Sequence, residues 1–350
     1  MMNMMQAARK QAIDLISRAC ENTADAGIPP GVAWPEPTVE IPSLPAWGDL
    51  TTPFCLAAAR RSGIPPRSLA DALLRHIDLK DTYFTTVQAA GSGYLNFRLS
   101  DRWYADTLIA LSSRGLIHRA VPLPDGMVSF VPVGADTPET ILRCRLLSRT
   151  FANLLARCDE IENGWPNHYV DFSEVAVAPC LLLYNGRSVD VSGPPRSLPM
   201  DALRFFLCAD PAASVTVELD LAMREDGANP YYCVRYTRDR IGAVLHGLAR
   251  RGFFVPSASD TDLSALSGGA ERALIRHLAR FDDTVLQAAR TGHTGMLPDY
   301  LLQLADAVRA FYEKARLRNV DDPVVPARLM LADTARRILC DGLSILGIIA

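Results

Sequence analysis

From residue 199 to the end, apolar side chains recur every three or four positions, and this period limits the fold more than any other feature. Residues 200–208, 229–251, 269–290, 298–316 and 326–346 all carry it, which is the pattern of helices that bury one face. Residues 257–267 form a polar connector among them. Helices following one another with short links predict an all-α bundle over 198–350. Asp201 is placed to cap a helix starting at Ala202, just after Pro199.

The first half reads differently. Residues 5–20 are in near-helical register, and a proline-rich passage over 28–45 breaks that pattern. Helices fit 53–61 and 68–76, the second capped by Ser68. Two alternating runs, 83–87 and 94–99, lie either side of Gly91-Ser92-Gly93 and predict paired strands. A helix at 103–114, a strand at 127–132, a long helix at 138–157 and strands at 170–177 and 181–184 follow, with Asn185-Gly186 as a hairpin turn. Gly193-Pro194-Pro195 reads as a linker. The fold class expected is α+β: a small α+β domain over 1–112, an α/β segment over 113–197, and the bundle.

Charge narrows the function. The net charge of −3 gives no global basic field, so any nucleic-acid surface must be local. Of 36 basic residues only Lys10, Lys80 and Lys314 are lysines. The eight cysteines include no C-x-x-C pair and the six histidines no i, i+4 pair, so neither metal nor cofactor is expected. Asp282 and Asp283 read as a charged helix face rather than a catalytic dyad, and no glycine-rich loop is built to cradle phosphate. The opening Met-Met-Asn-Met-Met-Gln lacks the basic and apolar pattern of an export signal, and no apolar run approaches the ~18 residues of a membrane span. The expectation is a cytoplasmic chain with reduced thiols and no membrane partner.

The helix from Asn229 is where local chemistry concentrates. Tyr232, Arg235, Tyr236 and Asp239 share one face, and Tyr231, Arg235 and Arg238 an adjoining one. Between 224 and 251 there are six arginines against Glu225, Asp226 and Asp239. Guanidinium beside tyrosine supplies cations for phosphate and flat rings for unpaired bases. The alternative is that Tyr231 and Tyr236 pack in the bundle and the arginines form a solvated face.

Two stretches carry a family resemblance. Met200-Asp201-Ala202-Leu203-Arg204-Phe205-Phe206-Leu207, then Glu218-Leu219-Asp220-Leu221-Ala222, Asn229-Pro230-Tyr231-Tyr232-Cys233-Val234-Arg235-Tyr236, Phe311-Tyr312 and the closing Gly342-Leu343-Ser344-Ile345-Leu346-Gly347-Ile348 resemble the anticodon-binding helical domain of arginyl-tRNA synthetases. Val39-Glu40-Ile41-Pro42, Gly48-Asp49-Leu50-Thr51-Thr52 and Gly91-Ser92-Gly93-Tyr94-Leu95-Asn96-Phe97 are similar to that family's N-terminal additional domain, which contacts the tRNA elbow. The resemblance implies tRNA, arginine tRNA foremost, as the partner. It puts Asn229, Tyr232, Arg235, Tyr236, Arg238, Arg240, Tyr312 and Arg316 at the contact. Two changes set the chain apart from the family at these contacts: Pro53 stands where the family has an asparagine implied to touch the D-loop, and Arg235-Tyr236-Thr237-Arg238-Asp239-Arg240 replaces Gln-Tyr-Ala-His-Ala-Arg. The family also runs a few residues further and ends in methionine, whereas this sequence stops at Ala350. Anticodon reading is therefore expected to be relaxed.

Between the two stretches the family's chemistry is missing. Its catalytic domain holds ATP with His-x-Gly-His at a helix start and with a lysine-rich loop. Val128-Ser129-Phe130-Val131 and the helix after it look like that domain's first strand and helix, and aligning Arg143 with a family arginine puts Pro138-Glu139-Thr140-Ile141 in the place of His-x-Gly-His. Leu183-Tyr184-Asn185-Gly186-Arg187-Ser188-Val189-Asp190 resembles the hairpin leading to the lysine loop, with Asp190 at the first lysine. No lysine occurs between Lys80 and Lys314, and arginine is not its equal as a compact mobile cation. The 97 residues from 101 to 197 cannot hold a doubly wound sheet at roughly 30 residues per βαβ unit. The middle is thus expected to be a catalytic-domain remnant, and the chain a non-catalytic tRNA-binding relative in a regulatory or accessory role. A protein-interaction module that binds a synthetase or another protein, and a ligase completed in trans, are the competing expectations.

Overall fold

The computed structural model describes residues 3–22, 32–113, 128–134, 136–162, 174–189, 191, 198–315, 317 and 322–348. The chain is α+β and divides into two compact units, Met2–Ala110 and Leu111–Ala350. Residues 113–197, read from sequence as a separate segment, belong to the second unit. The Gly193-Pro194-Pro195 linker and Asp190 lie outside the described residues.

In the first unit, α1 (Met4–Glu21) begins where Asn3 Oδ1 accepts from the N–H groups of Met5 and Gln6 at 3.0 and 3.1 Å. Its apolar face, including Met5, Ala8, Ala12 and Ile16, is buried. α2 (Phe54–Ser62) and α3 (Pro66–Leu74) follow. Ser68 does not cap α3 as expected. The helix starts two residues earlier, at Pro66, whose fixed φ suits a first helical position. β2 (Phe84–Ala90) and β3 (Tyr94–Leu99) pair antiparallel as predicted. An unpredicted third strand, β1 (Leu50–Thr52), completes the order β1-β3-β2 and is too short to show alternation. Gly48-Asp49 forms its corner: a Cβ on Gly48 (φ +107°) would come within 2.8 Å of the Phe97 carbonyl, and the Asp49 carboxylate accepts from Leu99 N–H at 2.8 Å. α4 (Asp101–Ser112) closes the unit, with Trp103 Nε1 donating to the Met4 carbonyl at 3.0 Å.

In the second unit, β4 (Ser129–Pro132) and β5 (Glu174–Val177) pair in parallel on either side of α5 (Pro138–Glu162), a single βαβ unit. β6 (Cys180–Tyr184) and β7 (Arg187–Ser188) form the predicted hairpin, with Asn185 and Gly186 both at positive φ (49° and 70°). α6 (Met200–Leu207) leads to β8 (Val215–Glu218), which pairs in parallel with β6, and to the one-turn α7 (Leu219–Ala222). Neither β8 nor α7 was anticipated, being four residues each. Asp201 is not the cap of α6. Pro199 occupies that position without a side-chain bond, and Asp201 pairs with Arg204 at 3.2 Å within the first turn.

The bundle comprises α8 (Pro230–Ala249), α9 (Gly269–Ala279), α10 (Phe281–Thr291), α11 (Met296–Ala315) and α12 (Val325–Ile345). The single helix expected over 269–290 is two. At Arg280 the N–H bonds to the His277 carbonyl three residues back, which tightens and turns the backbone. Asp282 is consequently not on a charged face but buried in the first turn of α10, where the helix dipole favours a carboxylate. α12 supplies much of the core, with Leu331, Ala335, Leu339 and Leu343 buried. His277, half-buried in the bundle, stacks on Tyr300 at 4.6 Å, and desolvation pushes its pKa down to about 4.

Arg143 in α5 ties these parts together. Its fully buried guanidinium donates to the carbonyls of Asp210 (2.7 Å), Ala213 (2.8 Å), Ala178 (2.9 Å) and Leu207 (3.3 Å). One side chain therefore fixes the β5–β6 link, the end of α6 and the loop before β8. No helix among the described residues is long and apolar enough to cross a membrane, and no group of three His, Cys, Asp or Glu among them is arranged to hold a metal ion.

Candidate nucleic-acid interface

α8 begins at a cap that uses up Asn229 completely. Its Oδ1 accepts from Tyr232 N–H at 3.3 Å while its amide donates to the carbonyls of Ala222 (3.0 Å) and Arg224 (2.8 Å). Asn229 is buried and organises the 222–229 loop, so it is a structural residue rather than the contact residue expected. Pro230 follows at the first helical position. Val234, Ile241 and Leu248 turn one face of α8 into the bundle.

From the buried Tyr231, which packs against Phe205, a stack runs out to the exposed side of the helix. The Arg235 guanidinium lies over the rings of Tyr231 (5.8 Å) and Tyr232 (5.5 Å). Tyr232 stacks on Tyr236 at 5.6 Å with 24° between planes. Arg240 stands over Tyr236 at 6.0 Å and over Tyr312 of α11 at 4.8 Å. Tyr236 remains 46% exposed, so its ring is open to a base, and the neighbouring cation strengthens stacking. Tyr232, Tyr236, Arg240 and Tyr312 border one hollow of about 380 Å³ between α8 and α11. A second hollow, of about 400 Å³ between α6, α7 and α8, is bordered by Asp201, Glu225, Tyr231 and Arg235.

The cations are not equivalent. Glu225 holds Arg235 at 2.8 Å, and this hydrogen bond raises the guanidinium pKa further. Arg238 pairs with Asp239 at 2.7 Å and its side chain is only 14% exposed, because it turns toward α12. Arg309 pairs with Asp306 at 2.7 Å. Arg240 has no carboxylate partner among the described residues. The structure thus brings Tyr232, Tyr236, Arg240 and Tyr312 together as expected, occupies Arg235, and turns Arg238 inward. Arg316 lies outside the described residues. Glu225 was missed; it reaches Arg235 across the loop before α8, which spacing along one helix does not show.

At the start of α5 the polar groups close on themselves. Thr137 Oγ1 accepts from Thr140 N–H at 3.2 Å, the two hydroxyls lie 2.9 Å apart, and Thr140 Oγ1 accepts from Cys180 N–H at 3.2 Å. Arg143, one turn on, spends its donors on backbone carbonyls and is pushed toward lower pKa by burial.

Comparison with known proteins falls on both units. Residues 10–99 match the arginyl-tRNA synthetase N-terminal domain, and residues 234–350 match the DALR anticodon-binding domain. A 152-residue stretch is 36% identical to an arginine–tRNA ligase of Symbiobacterium thermophilum, covering 43% of this chain and 27% of that one. A 228-residue stretch is 32% identical to that of Geotalea daltonii, covering 62% and 38%. The chain spans less than two fifths of the length of these relatives. In fold it is similar to the arginyl-tRNA synthetase of Thermus thermophilus (TM-score 0.61, 15% identity, 98% of this chain and 99% of that) and to that of Plasmodium falciparum (TM-score 0.68, 10% identity, 98% of each).

Proposed function

Because the chain belongs to the arginyl-tRNA synthetase family in both terminal domains, we propose that it binds tRNA, arginine tRNA foremost, without charging it, in a regulatory or accessory role in the cytoplasm. The observation that carries the binding is the exposed Tyr236–Arg240–Tyr312 stack on the anticodon-type domain. Its guanidinium is free of carboxylates among the described residues and its rings are stacked in advance, so little ordering is needed when a loop base arrives.

Three observations support the absence of charging. At the α5 start the Thr137 and Thr140 hydroxyls are taken up with each other and with the N–H groups of Thr140 and Cys180. Arg143 serves the packing of the second unit. No lysine between Lys80 and Lys314 is present to stabilise a pentavalent phosphorus. The test is a gel shift with arginine tRNA and its anticodon variants beside ATP–pyrophosphate exchange. Salt-sensitive binding without exchange is the expected result. Exchange above background would restore the ligase reading, and no shift at low salt would leave a protein-interaction module.

A further inference from the structure

Arg224, Arg235, Arg238 and Arg309 each hold a carboxylate. Arg240 and Arg251 do not. Among the described residues these two meet only rings, Arg240 over Tyr236 and Tyr312 and Arg251 over Phe253 at 5.7 Å. They stand at the two ends of one hollow of about 480 Å³, floored by Ala243, Gly247 and Leu248, with no acid among the described residues that line it. The two positions are eleven residues apart, roughly 16 Å along the helix.

The far end of this hollow is built. Gly252, at φ +86°, reverses the chain after α8; its N–H donates to the Ala249 carbonyl at 2.9 Å, and Phe253 N–H donates to the Leu248 carbonyl at 3.0 Å. This closure needs a left-handed residue, hence glycine. It fixes the backbone of Phe253 beside Arg251 and leaves Phe254 71% exposed. Phe253 lies against Arg251, which lines the hollow, and the exposed Phe254 follows it in the chain; an aromatic ring beside a guanidinium that holds no carboxylate among the described residues suits an anion that carries a flat ring.

We infer that the second half of α8 and the turn after it form a second RNA subsite, which takes a short unpaired stretch of a strand by stacking a base on the Phe253–Phe254 pair and its successive phosphates along the hollow against Arg240 and Arg251. The inference rests on the RNA-binding reading above and goes beyond it, because Arg240 and Tyr312 border both hollows and make the second continuous with the first. The strand leaving the Tyr236 site therefore runs toward the C-terminal end of α8. An apolar peptide would leave the two guanidiniums without counter-charge.

Gly247 offers a clean probe, since a Cβ there meets nothing within 4 Å; Gly247→Glu places a carboxylate in the hollow without disturbing the helix. Fluorescence anisotropy would compare an arginine-tRNA anticodon stem–loop and a single-stranded hexanucleotide on wild type, Phe254→Ala, Arg251→Ala, Gly247→Glu and Tyr236→Ala, with circular dichroism to check folding. We expect Phe254→Ala to weaken both RNAs about five-fold or more, Arg251→Ala to lower the salt slope by about 0.7, and Gly247→Glu to weaken both where Gly247→Gln does not. If the three hollow variants bind like wild type while Tyr236→Ala is weakened, the subsite is refuted and the tRNA reading stands. If the hexanucleotide binds and depends on Phe254 while the stem–loop does not bind, the subsite stands and the tRNA reading fails. Wild type binding neither RNA overturns both.

Discussion

Replacing Arg143 with methionine tests how the middle of the chain is held to the helical part. Methionine keeps the helix propensity of α5 but removes every N–H donor, leaving the carbonyls of Ala178, Leu207 and Ala213 without this partner, while that of Asp210 keeps the Ala213 N–H at 3.0 Å. A hydrogen bond from a charged donor contributes ~1.5–3 kcal/mol, and four such bonds are lost. Against this stands the cost, several kcal/mol, of holding a guanidinium out of water. The guanidinium has no ion pair among the described residues to offset that cost. The net loss expected is ~3–5 kcal/mol, a fall of roughly 6–20 °C in the melting midpoint of a unit this size. Arg143→Lys should recover less than half of it, because one ammonium cannot reach carbonyls on three separate segments. Calorimetry of the purified chain reads both variants, and the first unit's transition serves as an internal control. A methionine variant within ~0.5 kcal/mol of wild type, the range of an ordinary surface change, would refute the assignment of Arg143 as the tie.

Two further outcomes are expected. Glu225→Gln releases Arg235 from its 2.8 Å pair and should tighten arginine-tRNA binding about two- to five-fold at low salt, a gain that anisotropy should find vanishing at high salt; weaker binding would mean that Glu225 itself contacts RNA. His277 is held near pKa about 4 by burial, below its unfolded value of ~6.5. The unfolded chain therefore takes up the proton first as pH falls. The stabilising contribution is whole above pH ~6.5 and shrinks toward pH ~4, by roughly 3 kcal/mol in all. Melts at pH 7 and pH 5 should show a larger loss in wild type than in His277→Phe, and equal losses would contradict the burial of a neutral imidazole.

Long elements were legible in the sequence because one period ran through each of them, as in α1, α5, α8, α11 and α12. What escaped was either short or tertiary. β1, β8 and α7 hold three or four residues, too few for a period to emerge. The break at Arg280 leaves the apolar repeat intact on both sides, so spacing carries no sign of it. Tyr232 and Tyr236 were readable from one helix face, and the family resemblance added Arg240 and Tyr312. Asn229 spends its side chain on backbone groups and Arg238 is largely turned inward, and residue type on a helix carries no mark of either. The pairing of Arg235 with Glu225 crosses a loop and needed the fold. Ser68 and Asp201 were read as caps by residue type, whereas prolines set both helix starts.

Whether this chain holds tRNA and leaves it uncharged is read in a single incubation. Purified protein is mixed with arginine tRNA, ATP and labelled arginine in low salt, and bound tRNA and charged tRNA are measured in the same sample. The expected result is a salt-sensitive bound fraction that falls when Arg240 or Tyr236 is replaced by alanine, with no arginine on the tRNA above background. Charged tRNA that accumulates with time, or tRNA that stays unbound at low salt, contradicts it.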